Sequence, residues 1–476
     1  MKARLLVTRM HRITTAIAAL GTTAPAAAPA AHAAYAAHAA HTSHAAYAAR
    51  QADSTLPLPT AVRLALQSHP AVAAARASEA EAGARVGEAR AARLPQVSAL
   101  GSLTRFELPM IVAPLHGFDP TRPPTFNRTL LQGTAQLGYT LFDGGARGAR
   151  IGAARAGERV AAAGLASAET RIAAEATRAY LAVLSGHGRL TAAEQSLAAL
   201  AAERRRVQQA LDVGRAARVD LLRVEAAIAQ AEAERVGTAS DLEVAELALA
   251  RLVALDPART RAAGLTPVRL RDTTLTGDRA MLLARAADAS PDLAQARRRS
   301  EATEFARRAA RAAWFPRLEL GGGYLGFGSG TGDVTSEWQA TVRISYPLFQ
   351  GGARASAVSA ASSRARGAAE QYRGAHMDLE AALDRVLAAA REASARVTAM
   401  TRAVDHLTEV VRIEQLALDA GAGTQAEFLR ADADLRRARA ALIEARHGEI
   451  LARVELARIT GELSPDWLAN AVEPVP

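Results

Sequence analysis

The chain contains the same long pattern twice. His69-Pro70 is answered by Ser290-Pro291, and Leu94-Pro95 by Phe315-Pro316, both 221 residues on. Tyr139-Thr-Leu-Phe-Asp-Gly-Gly145 is then answered by Tyr346-Pro-Leu-Phe-Gln-Gly-Gly352, 207 residues on. At the same 207 shift, Ala210-Leu-Asp-Val-Gly214 returns as Ala417-Leu-Asp-Ala-Gly421, and Asp220-Leu-Leu-Arg223 as Glu427-Phe-Leu-Arg430. The register changes once, by 14 residues, between the proline and glycine-pair motifs. A period above 200 residues is too long for a solenoid unit. It describes a duplicated domain with one loop longer in the first copy, and sets boundaries at 51–264 and 265–476.

Each copy reads helix, strand pair, long helix, long helix. Thr60 to Arg93 is rich in Ala, Arg and Glu and stops at Leu94-Pro95, because proline disfavours helical geometry in the residue before it. Leu131, Gly133, Ala135, Leu137, Tyr139 and Leu141 alternate with polar neighbours over one predicted strand. Trp338, Ala340, Val342, Ile344 and Tyr346 do so in a second, and Leu318, Leu320 and Tyr324 in a third. Gln96 to Phe106 alternates less cleanly. Strands of about ten residues, apolar on one side and polar on the other, suit an outer-membrane barrel wall. A half-buried hairpin on a core would alternate in the same way, but no other store of large side chains exists to cover it. After each glycine pair, Ala146 to Asp212 and Ala353 to Asp419 are proline-free stretches of 67 residues, near 100 Å as helix at about 1.5 Å per residue. Each turns at Gly214 or Gly421 and returns as a second helix with coiled-coil spacing.

Composition narrows the class further. Aromatics are 4% of 476 residues and alanine dominates an apolar fraction of 50%, which favours closely packed long helices over a broad core. Zero cysteines exclude disulfides, thiolate metal sites, a cysteine nucleophile and a lipid anchor on an N-terminal cysteine. The formal charge of +10 is spread over mixed-sign helical stretches, so it reads as solvated helix faces rather than a nucleic-acid footprint. Residues 1–50 read as a leader: Lys2, Arg4, Arg9 and Arg12 precede an apolar stretch, and Ala31-His32-Ala33 is a small-residue cleavage site. The following His32, His38, His41 and His44 lie in low-complexity sequence, which bland composition or a metal-binding tract would both produce. No phosphate loop ending in GK[ST], HExxH, GxSxG or carboxylate–histidine cluster appears, so no enzyme and no cofactor or metal is expected.

Four strands cannot close a barrel, and an open sheet in lipid leaves backbone groups unsatisfied at several kcal/mol each. Two copies would give a filled barrel of about eight strands, and three about twelve with a lumen.

The duplicated xP breaks, the YTLFDGG and YPLFQGG junctions and the paired hairpin tips together resemble the TolC family of outer-membrane efflux and secretion channels, over Leu56 to about Gly461. The resemblance implies a mainly α fold with membrane β: a homotrimer with a twelve-stranded β-barrel continued by a periplasmic α-barrel. It implies a passive exit duct for a tripartite efflux pump or type I secretion system. Its partners would be outer-membrane lipid, a periplasmic adaptor and an inner-membrane pump, ABC or proton-driven, with no nucleic acid. Within the family the junctions are most similar to the unlipidated branch. The competing readings are a soluble periplasmic coiled-coil adaptor or scaffold, and a basic coiled coil on nucleic acid.

Carried over residue by residue, the adaptor-docking tips fall on Gly214, Val219, Asp220, Leu221 and Leu222, and on Gly421, Thr424, Glu427, Phe428 and Leu429. Turn chemistry alone accounts for part of this, since glycine ends helices and Asp220 suits a helix start. Glu414, Asp419 and Glu427 are candidates for a carboxylate ring at the aperture. Phe142, Gly144, Gly145, Phe349, Gly351 and Gly352 form the strand–helix junctions. Tyr139, Tyr324, Trp338 and Tyr346 are candidates for aromatic girdles, and Arg343 for the lumen.

Overall fold

The computed structural model describes residues 55–116, 120–121, 123–214, 216–271, 277–329, 334–420 and 422–475. The leader and the histidine tract lie outside the described residues, as does Gly421. The side chains of Asp419 and Leu429 lie outside them too.

The element order runs through the same cycle twice. The first cycle is α1 (Leu58–Ser68), α2 (Pro70–Ala91), β1 (Gln96–Ile111), β2 (Phe126–Phe142), α3 (Ala146–Asp212) and α4 (Arg218–Val253). A short α5 (Pro257–Ala263) and β3 (Val268–Leu270) follow. The second cycle is α6 (Arg279–Ala289), α7 (Pro291–Arg311), β4 (Arg317–Gly328), β5 (Val334–Ser345), α8 (Ala353–Asp419) and α9 (Gln425–Ile459). The chain ends in α10 (Pro465–Ala471) and β6 (Val472–Pro474).

The two 67-residue helices have the expected bounds, because a left-handed glycine pair opens each and no proline interrupts it. The single helix expected over Thr60–Arg93 is two. His69 is extended (φ −70°, ψ 127°), since the ring of Pro70 clashes with helical geometry there, and Ser290 before Pro291 behaves alike. The His69 ring Nδ1 accepts from the Ala71 amide at 3.2 Å, supplying one orphan donor of α2.

Packing divides the chain by level rather than by repeat. One unit holds Ala84–Ala154 and Thr303–Ala365, that is, both strand pairs with the adjoining helix ends. Its sheet is antiparallel in the order β1-β2-β4-β5, so β2–β4 joins the two repeats and β1 and β5 are free edges. The other unit holds 55–83, Arg155–Ala302 and 366–475, and carries the main apolar core. There the C-terminal tail is built in: β6 pairs antiparallel with β3 between the repeats, and Leu468 of α10 is fully buried.

Tyr180 of α3 sits in that core with no exposed surface. Its hydroxyl lies 2.7 Å from the Leu56 carbonyl, to which it donates, and accepts from the Thr266 amide at 2.9 Å. Burial pushes this hydroxyl well above its ordinary pKa, so it stays neutral. One ring therefore ties the start of α1 and the strand β3 to a long helix. Tyr180→Phe keeps the shape and orphans both backbone groups, at a cost of about 1–3 kcal/mol. The urea midpoint of the helical signal should fall accordingly, and an unchanged midpoint would show that water replaces the hydroxyl.

Candidate functional site

The strand register sorts the sheet into two chemically distinct faces. Partners across antiparallel strands share a face. Leu103, Leu131 and Gly328 are in line with Val334, and Gly101, Gly133 and Gly326 with Ser336. Below them run Ala99–Ala135–Tyr324–Trp338 and Val97–Leu137–Gly322–Ala340, then Tyr139–Leu320–Val342 and Phe142–Leu318–Ile344. Ser336 is the one polar residue in these six rows, and the Tyr324 hydroxyl lies 2.7 Å from its Oγ. The opposite face carries Ser98, Ser102, Gln132, Thr134, Gln136, Glu337, Gln339 and Thr341, with Thr140, Glu319 and Arg343 in one row.

The large side chains of the apolar face, including Val97, Leu103, Trp338, Val342 and Ile344, are exposed in the single chain. Such a surface requires a nonpolar phase or another protein against it. The weaker alternation of β1 has a local cause, since Leu100 falls on the polar face. Beyond Arg105 the β1–β2 pairing shifts register, and both strands extend past the apolar rows with polar residues, which is why they run longer than expected.

Of the girdle candidates, the structure brings Tyr324 and Trp338 together as direct cross-strand partners. Tyr139 opposes Leu320, and Tyr346 follows the end of β5, so these two lie at the junction end of the sheet. Trp338 and Tyr346 are eight positions apart, about 26 Å along a strand at about 3.3 Å per residue. Arg343 lies on the polar face opposite Glu319.

At the first junction, Gly144 (φ 65°) and Gly145 (φ 86°) turn strand into helix in backbone conformations that favour glycine. Asp143 caps the turn by accepting from the Gly145 amide at 3.2 Å and the Arg147 amide at 2.9 Å. At the second junction Gly351 (φ 55°) and Gly352 (φ 83°) repeat the turn, but Gln350 has replaced the aspartate. There Arg354 lies over the Trp314 ring at 4.9 Å and donates to the Pro347 carbonyl at 2.6 Å.

The helical tips differ in how they are capped. Thr424 is the N-cap of α9: its hydroxyl accepts from the Glu427 amide at 3.2 Å, and Glu427 accepts from the Thr424 amide at 2.9 Å. Hydrogen bonds from the Thr424 side chain and backbone hold the Glu427 carboxyl below the usual carboxylate range. Its contribution to the turn is therefore present above the ordinary glutamate pKa and is lost as pH falls through the lowered value.

At the other tip Asp220 is not the N-cap. It stands at the third helical position and accepts from the amide of Ala217, whose methyl can return nothing. Gly214 (φ 72°) ends α3, and Val219 and Leu222 are exposed. Leu221, Phe428 and Glu414 are partly buried. Thr424→Ala would reduce the complete cap to the half-cap of Ala217, costing about 1 kcal/mol. Amide exchange in the first turn of α9 should then rise roughly fivefold. Ala217→Ser should slow it in α4, and equal exchange in parent and variants would refute the capping difference.

Among the described residues no group of three or more His, Asp and Glu side chains is placed to hold a metal ion, and no helix is long and apolar enough to cross a membrane.

No curated protein matches this sequence. Among solved structures the fold is similar to the outer membrane protein VceC from Vibrio cholerae, with TM-score 0.70 and 21% identity, covering 85% of this chain and 96% of that one. It is similar to the Campylobacter jejuni CmeC outer membrane channel, with TM-score 0.72 and 16% identity over 85% of each chain. The open-state MtrE outer membrane channel of Neisseria gonorrhoeae gives 0.68 and 20% over 86% of this chain and 90% of that one. A family model described as outer membrane efflux protein matches residues 61–255 and 282–462, one stretch in each repeat. With most of its length matched in both copies, and a sheet whose one face is apolar across all four strands, the chain belongs to the outer membrane efflux protein family.

Proposed function

We propose that three copies close their sheets into one barrel in the outer membrane, with the apolar face on lipid and the polar face on water. The helices continue this barrel as a passive exit duct that docks a periplasmic adaptor and an inner-membrane pump. The observation that carries this reading is a four-stranded sheet with a continuous apolar face and two unpaired edges. In lipid both edges must be paired, and about twelve strands is the smallest closure of such sheets that leaves a lumen. A soluble adaptor would have to cover Trp338 and its neighbours with its own chain, and they are exposed.

The tips at Gly214 to Leu222 and Gly421 to Leu429 are the docking ends, where exposed Val219 and Leu222 flank a turn. Glu414 and Asp419 are the stronger gate candidates, because the Glu427 carboxylate is already engaged by Thr424. Asp419→Ala should raise single-channel conductance in a planar bilayer, and unchanged conductance would remove it from the gate. The reading as a whole is tested by fractionation and mass. The chain should sediment with outer membranes and, in detergent, have three times the mass of one chain and conduct ions. A detergent-independent monomer would overturn it.

A further inference from the structure

The two strand–helix junctions have the same sequence plan and unequal surroundings. In the first, a Cβ on Gly144 would lie 2.7 Å from the Phe315 Cβ and 2.8 Å from the Ala312 carbonyl. One on Gly152 would lie 3.0 Å from the Phe305 Cγ, and one on Gly164 would lie 2.8 Å from the Gln295 Nε2. Ala146 at the start of α3 is buried. The first repeat's junction and α3 are thus seated on α7 and the residues after it.

In the second junction nothing lies within 4 Å of a Cβ on Gly351, Phe349 is 87% exposed and Ala353 is exposed. The residues of the first repeat that correspond to the seat are equally uncovered. Leu94, the counterpart of Phe315, is 64% exposed, and Ala91 is exposed where its counterpart Ala312 is buried. One chain therefore presents a junction without a seat and a seat without a junction.

We infer that the junction end of α8 in one copy sits on α2 of a neighbouring copy, in the geometry that α3 adopts on α7 within a chain. Side-chain sizes support this occupant. Where α3 offers Gly164 to Gln295, α8 carries Gln371 and α2 carries Ala74, so the small and large partners have exchanged sides. Gly152 and Phe305 likewise become Ser359 and Ala84. The strand edges follow the same rule: the β2–β4 register carried over places Ile344 of β5 opposite Gly101 of the neighbour's β1, and Val342 opposite Leu103. Both pairs keep apolar residues on one face.

The seam between copies differs chemically from the seam within a chain. Ser167 donates to Asp292 and Arg159 pairs with Glu301 at 3.5 Å inside the chain, whereas the counterparts of Asp292 and Glu301 on α2 are Ala71 and Ala80. The ring has polar-latched seams alternating with small-residue seams.

This inference rests on the ring proposed above and is tested separately from it. The chain has no cysteine, so paired substitutions give a clean readout. Ala84→Cys with Ser359→Cys should, on oxidation in membranes, link most of the chain into dimers and closed trimers on denaturing gels, with neither single variant linking. Gln371→Cys with Ala74→Cys provides a second pair further along the seam, should the first fail to assemble. If the detergent-solubilised protein has the mass of three chains, yet neither oxidation nor a short bismaleimide joins either pair, the seam is wrong and the ring stands. If the mass is that of one chain, both fall.

Discussion

Leu137→Arg should all but abolish assembled protein in the outer membrane, while Gln136→Arg, one position away on β2, should leave assembly intact. The two positions have the same depth along the strand and opposite faces. Leu137 shares its row with Val97, Gly322 and Ala340, and Gln136 shares its row with Ser98, Gly323 and Gln339. An arginine on the lipid face costs about 2–4 kcal/mol near the bilayer midplane and little at the interfaces. Threefold repetition in a ring raises this to about 6–12 kcal/mol, comparable with the whole stability of a domain. An arginine beside the lumen keeps its water, so Gln136→Arg should instead change ion selectivity. Heat-modifiable oligomer in membrane fractions distinguishes the two. Equal yields would mean that the apolar face is covered by protein, and a reversed order would mean that the faces are assigned the wrong way round.

What could be read from the sequence follows from the range of the interactions involved. The long helices were legible to the residue because their limits are local: a glycine pair opens each, and the turn follows Asp212 or Asp419. Strand alternation was legible for the same reason, but the faces of the sheet were not. Joining Trp338 to Tyr324, Ala135 and Ala99 requires a register that only pairing defines. The pairing of β3 with β6 was missed because three-residue strands leave no periodic signal and their partners lie some 200 residues apart. Tyr180 was missed too: nothing local distinguishes a helical tyrosine whose hydroxyl serves the Leu56 carbonyl and the Thr266 amide. At the tips, composition pointed to Asp220 as a helix start, and the backbone placed it three residues further in. The motif was visible, but its phase was not.

Gly144→Val should be the most damaging single change at the junctions, and its comparison with Gly145→Val separates two causes that the sequence motif merges. Both glycines have left-handed backbone, which costs a residue with a Cβ about 1–2 kcal/mol. Only Gly144 also lacks room, since its Cβ would fall 2.7 Å from the Phe315 Cβ and 2.8 Å from the Ala312 carbonyl, whereas nothing lies within 4 Å at Gly145. Ala312 is itself buried, so the backbone there cannot yield by moving into solvent. Overpacking at such a contact adds about 1–3 kcal/mol, for a total of about 2–5 kcal/mol at Gly144 against about 1–2 kcal/mol at Gly145. The ordering should appear in the urea midpoint of the solubilised protein and in the amount reaching the membrane. Phe315→Ala should restore part of the loss in the Gly144→Val background, because it removes the clashing ring while leaving the backbone strain. No recovery, or equal damage at the two glycines, would place the whole effect in the turn conformation and remove the packing of the first junction on the second repeat as a determinant of the fold.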